Sequence, residues 1–98
     1  MDWPASWTPI DGRSAGDALR QELQRELSPG HALFGLPVTA IGRRLDQDDV
    51  LFAIQDGTDR VARVHLTWTA SSESPPFPAA TLYRTLADWR DAEKSTQS

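Results

Sequence analysis

The chain has 98 residues, 14 acidic and 10 basic side chains and a formal net charge of −4, a size at which one domain buries roughly two-thirds of its unfolded surface. It has no cysteine, which excludes disulfides, thiolate nucleophiles, iron–sulfur clusters and cysteine-based zinc sites and leaves the cytoplasm as the expected compartment. The acidic balance disfavours nucleic acid, because a phosphate backbone is repelled unless basic residues cluster. No stretch approaches the ~18 apolar residues of a membrane span, and "MDWPASWTPIDGRS" has neither the basic start nor the apolar block of a secretory signal.

Residues 1–13 read as an extended arm, since Pro4 and Pro9 lock φ and remove amide donors. Its two tryptophans, Trp3 and Trp7, either fold back over apolar surface or form a partner-binding patch. A single domain is expected over 14–91, with a frayed tail at 92–98. Ser14 and Asp17 resemble a capping pair. Beyond them, Leu19, Leu23 and Leu27, flanked by Ala15 and Ala18, form the apolar stripe of a first helix that "SPG" at 28–30 ends.

After the loop "GHALFGLP", the segments "VTAIGRRL", "VLFAIQ" and "RVARVHLTW" read as three strands. The first is ambiguous between a Val38/Ala40 face and an Ile41/Leu45 face. In the other two, Val50, Phe52 and Ile54 share a face, as do Ala62, Val64, Leu66 and Trp68. Matching these faces requires a longer loop or a bulge with Gly57 at positive φ, and places Phe52 opposite Val64 and Val50 opposite Leu66. Residues 71–78, with "SPPFP", read as a stiff crossover rather than a ligand for a proline-binding module. Ala79, Leu82, Tyr83, Leu86 and Trp89 then fall on one face of a second helix, with Arg84 and Asp88 paired on the other. The expected fold is α+β: helix, three-stranded antiparallel meander, helix, with both helices on one face of the sheet.

No reaction motif is present. There is no G-x-S-x-G elbow, no nucleotide-binding glycine loop and no paired-histidine zinc spacing, so no metal or cofactor is expected. Asp46, Asp48 and Asp49 begin like a calcium loop, but Leu51 and Gly57 stand where its glycine and glutamate belong, so a solvated hairpin tip is expected. Asp56 and Asp59 read as turn residues, and His31 as lining the loop after the first helix. Arg43, Arg44, Arg60 and Arg63 offer a local positive patch. The odd-numbered sheet face carries Arg63, His65 and Thr67, suited to an anion or a carboxylate, with His65 placed opposite Leu51 and Arg63 opposite Ala53.

At "VLFAIQDG", "VHLTW", the proline-rich crossover and "LADW", with "LSPGHALFGLP" belonging to the same pattern, the chain resembles a family of small bacterial proteins of unassigned function. The resemblance covers roughly residues 14–90, with Phe77 where a Trp is expected before the last proline of the crossover. It implies a compact, soluble bacterial protein and supplies no catalytic residues.

Three functional expectations follow. The first is a non-enzymatic protein-binding or adaptor domain, of the neutralising or immunity kind, since an acidic domain of this size suits a basic partner surface. The second is a small-molecule or anion binder using Arg63, His65 and Thr67. The third is an enzyme with His65 as acid/base, which needs Asp46, Asp48 or Asp49 to approach it. Candidate binding residues are therefore Arg63, His65, Thr67, Trp3 and Trp7, with no catalytic residue assigned and a monomer favoured.

Overall fold

The computed structural model describes residues 3, 6–10, 13–46, 48–66 and 80–96. Its elements are β1 (Trp7–Pro9), α1 (Arg13–Glu26), β2 (Val38–Arg44), β3 (Asp49–Ile54), β4 (Val61–His65), β5 (Ala80–Tyr83) and α2 (Leu86–Thr96). The strands form one antiparallel sheet in the order β1-β2-β3-β4-β5. The expected three-stranded meander with both helices on one face is therefore corrected: two further strands flank it, and the helices take opposite faces. Trp68, the crossover at 71–78 and Thr67 lie outside the described residues.

On one face, Leu19, Leu23 and Leu27 of α1 pack with Val38, Ala40, Val50, Phe52, Ile54, Ala62 and Val64, which are the alternating positions of three strands. On the other, Leu51 and Val61 pack with Trp7 and with Trp89 of α2, and Trp3, Ile41, Tyr83 and Leu86 close around them. The odd-numbered face is thus covered by α2 and the arm. Trp89 receives Trp7 edge-on at 4.9 Å and Trp3 at 5.7 Å between ring centroids.

Both candidate faces of β2 are used. Ala40 pairs with Phe52 and Gly42 with Leu51, leaving Ile41 as the extra residue of a bulge. The bulge turns Ile41 towards the tryptophans while Val38 and Ala40 stay against α1. Leu45 is exposed. Beyond the bulge, Gly42 lies under the Trp3 ring, and a Cβ there would come within 2.5 Å of it.

Residues 80–83 form a strand where a helix was expected. A helix would put Ala80 and Tyr83 on one side, yet Ala80 packs on the α1 face and Tyr83 on the α2 face, the alternation of a strand. Pairing Val61 with Tyr83 and Val64 with Ala80 also satisfies the outer backbone edge of β4. Thr85 then caps α2, its hydroxyl accepting from the Asp88 amide at 3.1 Å. Arg84 precedes the helix, so the expected helical pair with Asp88 does not arise. The helix runs to Thr96, and Glu93, expected in a fraying tail, is buried.

The β3–β4 connection is a five-residue loop closed by Ile54 N–H donating to the Arg60 carbonyl at 3.0 Å. Gly57 takes φ 89°, which glycine reaches without steric cost. Asp56 accepts from the Thr58 amide at 3.1 Å, the Thr58 hydroxyl at 2.6 Å and Arg60 Nη2 at 2.7 Å. These bonds, the Thr58 side chain's first and Arg60's next, hold the Asp56 carboxyl at about 2 against an ordinary 3.8. Parity is as expected but the register is two residues from it: Val50 pairs with Val64, Phe52 with Ala62 and Asp49 with His65.

Two predictions follow from these contacts. Gly42→Ala should displace the Trp3 ring and cost about 1–3 kcal/mol, read as a lower denaturation midpoint and a red-shifted tryptophan emission. Because the Asp56 pKa falls on folding, its contribution to stability is present above 3.8 and disappears as pH falls towards about 2. Wild type should therefore exceed Asp56→Asn in thermal midpoint at neutral pH, with the two converging near the lower value.

Candidate functional site

The observed register sets Asp49, the first residue of β3, directly opposite His65, the last of β4, with Arg63 two residues back on the same face. Opposed side chains in an antiparallel pair lie about 5 Å apart at Cβ, within hydrogen-bonding reach for Asp and His. Asp49 Oδ1 lies 2.7 Å from His65 Nδ1. Asp49 Oδ2 accepts from Arg63 Nε at 2.8 Å and lies 2.6 Å from Nη2. Arg63 Nη1 donates to Glu93 Oε1 of α2 at 2.8 Å.

The Asp49 and Glu93 side chains are 5% and 3% exposed, whereas that of His65 is 56% exposed. The cluster therefore has a buried ionic base and an imidazole at its mouth. Burial works against the charged form of Arg63, but the hydrogen bond and charge of Asp49, followed by the charges of Glu93 and Tyr83, outweigh it and hold the guanidinium above its ordinary value. Its Cζ also stands 5.9 Å from the centroid of the Trp7 ring, within range of a cation–π attraction. Asp49, Arg63 and His65, with Thr81 from β5, line a cleft of about 170 Å³.

Of the candidate residues, Arg63 and His65 are brought together, but Arg63 faces Leu51 and not Ala53, and His65 faces Asp49 and not Leu51. Thr67 lies outside the described residues. Trp7 is buried within the chain and Trp3 is partly covered beside it. Of the four arginines expected to form a patch, three besides Arg43 are paired with acids: Arg44 with Asp46 and Arg60 with Asp56, each at 2.7 Å, and Arg63 with Asp49 and Glu93. His31 is a buried turn residue whose Nδ1 accepts from the Leu33 amide at 3.0 Å. Among the described residues, no group of three or more His, Asp or Glu could hold a metal ion, and no helix is long and apolar enough to cross a membrane.

In the sequence Asp49 stands out as a turn acid and as one of three loop carboxylates that could approach His65, while Glu93 and Thr81 do not stand out. Asp49 has the parity of the His65 face, a signal visible once the register is known. Glu93 stands four residues after Trp89, on the buried stripe of α2. Compared with protein-family models, with curated proteins and with solved structures, the chain matches none.

Removing Arg63 leaves two buried carboxylates without their shared partner. Arg63→Met should destabilise the fold by about 3–5 kcal/mol in chemical denaturation, the cost typical of an uncompensated buried charge. Adding Glu93→Gln to Arg63→Met should recover part of that loss, which a double-mutant cycle measures.

Proposed function

We propose that the chain is a non-enzymatic binding domain that engages a protein partner at the mouth of the Asp49–Arg63–His65 cleft, with His65 as the contacting residue. The observation that carries this reading is the 2.7 Å contact between His65 Nδ1 and the buried Asp49 carboxylate. It fixes the ring and leaves Nε2 as the nitrogen available to a partner. In the neutral ring, Nδ1–H donates to Asp49 and Nε2 accepts. A lysine, arginine or hydroxyl on a basic surface supplies the matching donor and suits a chain of net charge −4.

The cleft's size supports recognition of one side chain. Its volume of about 170 Å³ falls below the roughly 300–1,000 Å³ of small-molecule sites. Arg63 is committed to two carboxylates, which argues against an anion binder built on its guanidinium. A second reading has one observation in its favour. A histidine oriented by a buried acid, itself held by an arginine, is the arrangement of a general base. Among the described residues, the lining of the cleft brings to it only the Thr81 hydroxyl.

The test is affinity capture from bacterial lysate with tagged wild type beside His65→Ala, quantified at low and physiological salt. A salt-sensitive protein captured by wild type and depleted about tenfold or more by His65→Ala is the expected outcome. Equal capture by both, or no protein partner, would overturn the assignment of His65.

A further inference from the structure

A second and larger cavity, of about 480 Å³, opens where the β3–β4 loop meets the start of α2. Its apolar lining comes from Ile41, Ala53, Val61 and Leu86, and its rim carries Asp59 and Arg60. The volume lies within the range of small-molecule sites. Ala53 is the smallest of these apolar side chains, and the bulge in β2 brings Ile41 to the same wall.

The rim holds one group of each sign, of which Arg60 is held in place. Arg60 is held by Asp56 at Nη2, 2.7 Å away, and by the Thr58 hydroxyl at Nε, 3.3 Å away. Its Nη1 has no partner among the described residues. Asp59 is exposed and forms no ion pair among them. Leu86 and Ala87, in the first turn of α2, line the same cavity, and first-turn amides have no acceptor within their own helix.

We propose that this cavity binds a free α-amino acid with an apolar side chain. The carboxylate lies towards Arg60 and the first turn of α2, the ammonium group towards Asp59, and the side chain on Ile41, Ala53, Val61 and Leu86. A zwitterion meets the Arg60 guanidinium with its carboxylate and Asp59 with its ammonium group, whereas a simple anion or cation engages only one of them. This assignment is independent of the His65 cleft.

The test is an amide chemical-shift titration of the full chain with L-leucine, compared with isocaproate, which lacks the amine, and isoamylamine, which lacks the carboxylate. Saturable shifts at Arg60, Leu86 and Ala87 with L-leucine, about tenfold weaker with either analogue, are expected. Asp59→Asn, an exposed substitution, should weaken L-leucine and isoamylamine while leaving isocaproate unchanged. Ala53→Leu should abolish all three by filling the cavity, with unchanged tryptophan fluorescence reporting an intact fold. Absence of saturable shifts with L-leucine, or isocaproate binding as tightly as L-leucine, would overturn the proposal.

Discussion

The guanidinium of Arg63, held between Asp49 of β3 and Glu93 of α2, joins the sheet to its second helix. Burying charges is costly, and a buried pair is offset only when geometry and hydrogen bonding are good. Here Nε, Nη1 and Nη2 all meet carboxylate oxygens within 2.8 Å, and the Trp7 ring lies alongside. The arrangement specifies where α2 sits along β4. It also determines what the cleft presents: Arg63 is used internally, and His65 is left as the exposed member of the cluster.

The aromatic group beside it follows a different rule. Trp7 and Trp89 are buried, and neither indole N–H has an acceptor among the described residues. Each unsatisfied donor costs about 1–3 kcal/mol. Each ring also removes about 150–250 Å² from water, worth about 4–6 kcal/mol at about 25 cal/mol per Å². Apolar burial wins, and the arm is held by its two tryptophans more than by the three-residue strand that begins at Trp7. Gly42 is part of that balance, because the space a side chain would take is occupied by Trp3.

Local signals in the sequence located α1, the three central strands and the positive φ of Gly57, because each depends on periodicity or turn chemistry within a few residues. The errors arose where distant segments compete. "ATLYRTLADW" carries helical spacing throughout, but the open edge of β4 recruits its first four residues as β5. Thr85, which marks the true helix start, was the available clue. Once Tyr83, Leu86 and Trp89 no longer lie on one continuous helix, α2 is free to cross to the odd-numbered face. The register error had a similar origin. Parity forbids a one-residue slip but not a two-residue slip, and it is the five-residue loop at Gln55–Asp59 that brings Asp49 to His65.

The position of α2 carries consequences for both cavities. Leu86 at its start lines the larger one, and Glu93, about 10 Å further along at 1.5 Å per residue, holds the arginine of the smaller one. Between them Trp89 is packed by Trp3 and Trp7, so the helix cannot tilt at one end without disturbing rings in contact with the arm. A ligand that binds one cavity better in one helix position biases the other cavity by the same free energy, and the reverse holds equally. The size of that coupling depends on how far α2 can move against the tryptophans. The interior contacts that make the two sites rigid are thus also the contacts through which they can communicate.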